Sequence, residues 1–190
     1  MSTELWIVVG VAVVLALAFI LIRNSMIGSR NQVDEAWSGV DVQLKRRHDL
    51  VPPLVETVEG YARHERAVFE RTTKARADAM RALGSSPQAE SQAESALSRA
   101  LTDLRAVAEN YPDLRATENF QRLQRDLAQI EDEIQASRRI YNSNARTFNT
   151  KVQIFPNSIV ARLACLTSRE YFEIVDASER ERAEVSFGQP

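Results

Sequence analysis

A single cysteine, Cys165, among 190 residues leaves no partner for an intramolecular disulfide and no Cys-clustered metal site. With no histidine near it to draw off a proton, that thiol reads as buried apolar filler rather than a nucleophile. Glycine and proline number six each and aromatics make up 7%, and the length fits one domain with a core of its own rather than a two-domain enzyme. Only two histidines occur, His48 and His64, sixteen positions apart, which is no metal-binding spacing. A formal net charge of -2 removes the basic excess expected of a nucleic-acid binder. No Gly-rich phosphate loop and no second His after His64-Glu65 are present, so neither a cofactor nor a metal is implied.

What the chain does have begins with residues 5–22, eighteen positions without a charge. At 1.5 Å per residue they make a helix of about 27 Å, enough to span a bilayer. A cleaved leader would carry a basic start, whereas only Glu4 precedes this run. Arg23 and Arg30 follow it and no Lys or Arg precedes it, so the charge bias puts the remainder in the cytoplasm and the N-terminus outside. Ala12 and Ala16, four apart, would permit a homo-oligomer through the span without requiring one.

Beyond the span the apolar spacing is helical throughout. Val33, Trp37, Val40 and Leu44 define a helix continuing from the span to about Asp49, and Pro52-Pro53 then suit the first turn of a second helix reaching Gly84. Gly84-Ser85-Ser86-Pro87 is a turn, and Ala93, Leu97, Leu101, Leu104 and Val107 mark a third helix broken at Asn110-Tyr111-Pro112-Asp113. Thr117 caps the fourth and longest. There Phe120, Leu127, Ile134, Tyr141, Phe148 and Phe155 recur every seven residues, with Leu123 and Ile130 three beyond members of that column, the seam of a coiled-coil-like bundle. Ser158 heads a short amphipathic piece with Ile159, Val160 and Leu163. The expected fold is all-α: a transmembrane anchor at 1–24, an elongated antiparallel four-helix bundle with a short extra helix at 25–175, and a flexible tail at 176–190 with Val185 and Phe187 as docking residues.

Surfaces, rather than a catalytic constellation, are what remain. From Ile134 to Arg169 there is no Asp or Glu, while Arg138, Arg139, Arg146, Lys151 and Arg162 are basic, a pattern suited to anionic lipid at the inner leaflet. Lys45-Arg46-Arg47, with no interleaved aromatics, is weak as a nucleic-acid site and reads as a solvated helix end or a partner surface. The alternative is a hydrolase or regulatory enzyme whose polar site is scattered in sequence around His64, Glu65 and Asn142.

A series of blocks resembles the LemA family of bacterial membrane proteins. It runs from Arg30-Asn31-Gln32-Val33-Asp34-Glu35-Ala36-Trp37-Ser38 and Asp41-Val42-Gln43-Leu44-Lys45 through Gly60-Tyr61-Ala62, Ala108-Glu109-Asn110-Tyr111-Pro112 and Asn119-Phe120 to Tyr141-Asn142, Phe155-Pro156 and Tyr171-Phe172. Pro53 departs from the Asn expected there, and Met26-Ile27 from a Tyr-Asn. The resemblance implies a single-pass protein of the bacterial cell (inner) membrane with a cytoplasmic helical bundle and no established enzymatic activity. Together with the missing active site it points to a membrane-anchored scaffold or adaptor whose protein partners the sequence does not identify.

Overall fold

Pro52 and Pro53 lie inside a helix, not at the start of one: α1 runs unbroken from Thr3 to Glu59. The computed structural model describes residues 3–173. A proline lacks the N–H that would reach four residues back, so Pro52 strands the His48 carbonyl. Arg76 Nε donates to that carbonyl at 2.7 Å and takes the missing donor's place. The chain breaks instead at residues 60–65, where Gly60, Tyr61 and Ala62 close tight turns onto Glu56 and Val58. The expected second helix is thereby reduced to α2, Arg66–Ala82.

Gly84, with φ of 78°, makes the turn into α3, Pro87–Glu109, whose entry combines Pro87 in the first turn with Ser86 Oγ accepting from Ala89 N at 3.2 Å. A short α4, Pro112–Ala116, precedes α5, Glu118–Gln153, where Thr117 Oγ1 accepts from Phe120 N at 3.4 Å as the expected cap. Finally α6 covers Asn157–Leu163; Pro156, not Ser158, occupies its capping position. Every regular element among the described residues is helical. The anticipated tail at 176–190, with Val185 and Phe187, lies outside them.

Two compact units divide the chain. One holds the residues through Arg47 together with Leu127–Tyr171, the other His48–Asp126 together with Phe172 and Glu173. The turn expected before Pro52-Pro53 is absent, since α1 runs through both prolines. In the first unit Val33, Val40 and Leu44 of α1 are buried, as are Ile134, Tyr141, Ala145 and Phe148 of α5. In the second, α2 and α3 pack on each other, and Leu54, Val58, Phe69, Leu97, Leu104, Leu114 and Phe120 are buried. The heptad column holds for Phe120, Ile134, Tyr141 and Phe148. Leu127 is only half-buried, and Phe155, past the end of α5, is 80% exposed.

Candidate functional site

The apolar window of α1 is exposed along its length and is long and apolar enough to cross a membrane. Its final turn is different. Phe19 and Ile22 pack, with Val152 and Leu166, against a buried cluster of Met26, Val160 and Ala161. Thus α6 lies against the end of the apolar run. Its buried face is Val160-Ala161, while Ile159, Arg162 and Leu163, at i, i+3 and i+4, form an exposed face.

The turn that ends α6 depends on Cys165, which is exposed rather than buried and has φ of 53°. Leu166 N donates to Ala161 O at 2.9 Å and Cys165 N to Arg162 O at 3.3 Å. This is a left-handed helix cap, in which glycine is the usual residue and the next side chain folds back on the last turn. Here Leu166 does so. The reading of Cys165 as filler missed that a cap position faces water.

Antiparallel pairing of α1 with α5 fixes the level of each basic candidate. Lys151 Nζ donates to Ser29 Oγ at 2.6 Å and to Ser25 Oγ at 3.3 Å; Asn144 Nδ2 donates to Gln32 O at 3.1 Å; Trp37 and Tyr141 rings meet at 4.9 Å. Arg146 falls between the first two rungs and is exposed. Arg138, half-buried, and Arg139, exposed, lie beyond the third. Farther along, Arg46 meets Glu133 at 3.3 Å and Arg47 meets Glu131 at 2.7 Å. Arg47 is 2% exposed and belongs to the interior; Lys45 and Arg46 remain on the surface.

A segment without regular structure, 166–171, closes this unit. Asn149, buried, grips it in both directions: its Nδ2 donates to Arg169 O at 2.8 Å and its Oδ1 accepts from Arg169 N at 2.7 Å. Tyr141 Oη donates to Glu170 O at 2.7 Å, and the Arg169 guanidinium reaches Asp34 at 2.8 Å. Burial raises the Asp41 carboxyl above its ordinary value, and its Oδ1 has no hydrogen-bond partner.

In the second unit the sequence reading missed a buried polar group. His48 Nε2 and Glu94 Oε1 lie 2.7 Å apart with both side chains almost fully enclosed, and Glu90, 1% exposed, accepts from Gly84 N at 2.6 Å. A signal existed. Glu90, Glu94, Leu97, Leu101, Leu104 and Ala108 advance by four and three, so the two carboxylates sit on the same seam as the leucines. Both side chains are enclosed, so the pair ties α1 to α3 inside the second unit. Of the enzyme candidates, His64 is exposed and Glu65 half-buried in this unit, whereas half-buried Asn142 belongs to the other unit. Among the described residues no cluster of three His, Cys, Asp or Glu is arranged to hold a metal ion.

The chain is 26% identical over 163 residues to Protein LemA of Metamycoplasma hominis, covering 86% of this chain and 73% of that protein. It is 24% identical over 187 residues to Magnetosome protein MamQ 2 of Paramagnetospirillum magneticum, covering 85% and 69%. To Magnetosome protein MamQ of Magnetospirillum gryphiswaldense it is 23% identical over 173 residues, covering 78% and 64%. The family model described as LemA family matches residues 36–187, most of the region beyond the apolar run, and the chain therefore belongs to the LemA family.

Proposed function

We propose that this chain is a membrane-anchored helical scaffold or adaptor that works through protein contacts and through anionic headgroups beside its anchor. One observation carries the reading: α1 continues without a break from an exposed apolar window into the buried seam of Val33, Val40 and Leu44. A helix apolar on all sides finds its solvent in a bilayer, while one apolar along a stripe packs on protein. The same helix does both, so unit one continues from its anchor without a flexible linker. Arg23 and Arg30 favour the bacterial inner membrane with the N-terminus outside and the helical units in the cytoplasm.

The helix register sorts the lipid candidates. Arg162, Lys151 and Arg146 stand at the end of unit one that adjoins the span. Trp37 is about 22 Å along α1 from Ile22 at roughly 1.5 Å per residue. Arg138 and Arg139 lie still farther away, well past a screening length of about 8 Å, and are assigned to the protein-contact surface. With them go Lys45, Arg46 and the open groove of about 410 Å³ lined by Gln32, Glu35, Ala36, Gly39, Ser137, Ile140 and Asn144. Ile140 is exposed there.

The test joins topology to contact. Reporter fusions at Pro190 should give a bright fluorescent protein and an inactive alkaline phosphatase; the reverse pattern refutes the orientation. Photo-crosslinkers at Arg46 and Ile140 in native membranes should each trap a discrete protein adduct that a crosslinker at Asp126 does not. Only lipid or solvent products at both positions would refute the scaffold reading.

A further inference from the structure

The corner between α5 and α6 exposes apolar side chains that no part of unit one covers. Phe155 is 80% exposed, Leu163 70%, Ile159 53% and Ile154 48%, although Val160 and Ala161 on the same short helix are nearly sealed. Four large apolar side chains exposed within ten residues of sequence are unfavourable in water and mark an interaction surface. What covers it follows from where it is attached.

Val160 and Ala161 pack on Met26, which lies four residues, about 6 Å, past Ile22 at the end of the charge-free run. Phe19 and Ile22 of that run touch the same cluster. If 5–22 cross the hydrocarbon, α6 is held at the boundary between acyl chains and headgroups, the depth at which amphipathic segments settle. Charge follows the same order. Arg162 lies between Ile159 and Leu163 on the exposed face, and Arg23 is exposed at the end of the run. An arginine so placed rests its stem on the apolar surface and lifts its guanidinium to phosphate level.

We propose that Ile154, Phe155, Ile159 and Leu163, with Arg162, form an interfacial foot seated in the same bilayer leaflet that α1 enters, so that this protein grips the membrane at two places. The foot fixes how the rigid α1 stem rotates and tilts, because a span alone leaves rotation about its own axis free whereas an off-axis contact does not. This inference rests on the membrane-anchor reading above. It adds a lipid-facing surface outside the span.

The full chain, with Cys165→Ser, would be spin-labelled at one new cysteine at a time and reconstituted into phosphatidylcholine vesicles containing phosphatidylglycerol. The positions are Leu15→Cys in the span, Phe155→Cys, Ile159→Cys and Leu163→Cys in the foot, and Lys45→Cys as an aqueous reference. All are exposed, so labelling does not disturb packing. Collision with oxygen and with a water-soluble nickel chelate reports the surroundings of each label. The foot labels should resemble Leu15 in favouring oxygen over chelate, at a shallower depth, and Lys45 should show the reverse. Arg162→Glu should shift the foot labels toward the chelate in anionic vesicles. Foot labels open to the chelate while Leu15 is in lipid would overturn the foot and leave the anchor standing. So would foot labels shielded from both quenchers, which would mean that protein covers the patch. A Leu15 label open to the chelate would overturn the anchor reading and the foot with it.

Discussion

The two units bury polar groups in opposite ways. In the first, apart from Arg47 on Glu131, the enclosed polar side chains are neutral and mostly aimed at backbone: Asn149 on both sides of Arg169, and Tyr141 on Glu170. In the second, ionisable side chains share the seam with leucines, and His48, Glu90 and Glu94 are all nearly inaccessible. The difference reflects what has to be held. Unit one must pin an irregular segment, whose free N–H and C=O groups an amide satisfies without the large desolvation cost of an ion. Unit two is mainly helix against helix, where the helical ladder serves most of the backbone and Arg76 serves the carbonyl that Pro52 leaves. A buried acid–histidine contact there contributes little net stability, yet it is costly to halve.

Breaking that comparison at its strongest point means charging the apolar seam of unit one. Ile134→Asp, at a position 2% exposed, removes a buried aliphatic group and buries an unpaired carboxyl, so a loss of several kcal/mol is expected. Hydrogen exchange should rise throughout 127–171. Glu133→Ala, one residue away and partly exposed, should stay within about 0.5 kcal/mol of wild type.

In unit two, Glu94→Ala should cost about 3–5 kcal/mol in denaturant unfolding, because His48 loses its close carboxylate. Replacing both together, His48→Leu with Glu94→Leu, should recover most of the loss. If the double variant is as unstable as the single one, the pair is a net stabiliser and the contrast between the units weakens.

Asn149→Ala should cost about 1–3 kcal/mol, since it leaves two backbone groups of Arg169 unsatisfied. Proteolysis near 166–171 should accelerate before that of α3. Cys165→Gly should stabilise by about 1 kcal/mol by relieving a left-handed backbone at a non-glycine residue, visible as a raised melting temperature.

The smallest effect expected is at Asp41. Its folded carboxyl titrates above the ordinary 3.8, so the folded state holds its proton more tightly than the unfolded state does. Its contribution to stability is thus most favourable below 3.8 and declines as pH rises through the raised folded value. Asp41→Asn should be more stable than wild type at neutral pH, and the gap should close on acidification. A constant gap across pH would show that the carboxyl's charge is not the cause.

Much of this was legible from spacing alone. The charge-free run, the turn at Gly84 with Pro87 after it, the Thr117 cap and the sevenfold column at Phe120, Ile134, Tyr141 and Phe148 all depend on residues within a few positions of one another, and the structure has each of them. The misreadings share a cause. Pro52 ends a helix only if its orphaned carbonyl finds no donor, and the donor, Arg76, is 28 residues from His48 in sequence. Glu90 and Glu94 drew no notice in the sequence because the histidine that meets Glu94 is 46 residues away. Arg47 looked like surface because Glu131 is 84 residues away.

Local sequence therefore determined which segments are helical and which run is long and apolar enough to cross a membrane, since propensity, capping and the hydrophobic run act over a few residues. Only the tertiary structure decided where α1 ends, which charges are enclosed and which apolar side chains of α6 are left outside. Those outcomes turn on hydrogen bonds and packing between residues far apart in the chain, and the spacing of residues along one helix carries no information about its neighbours.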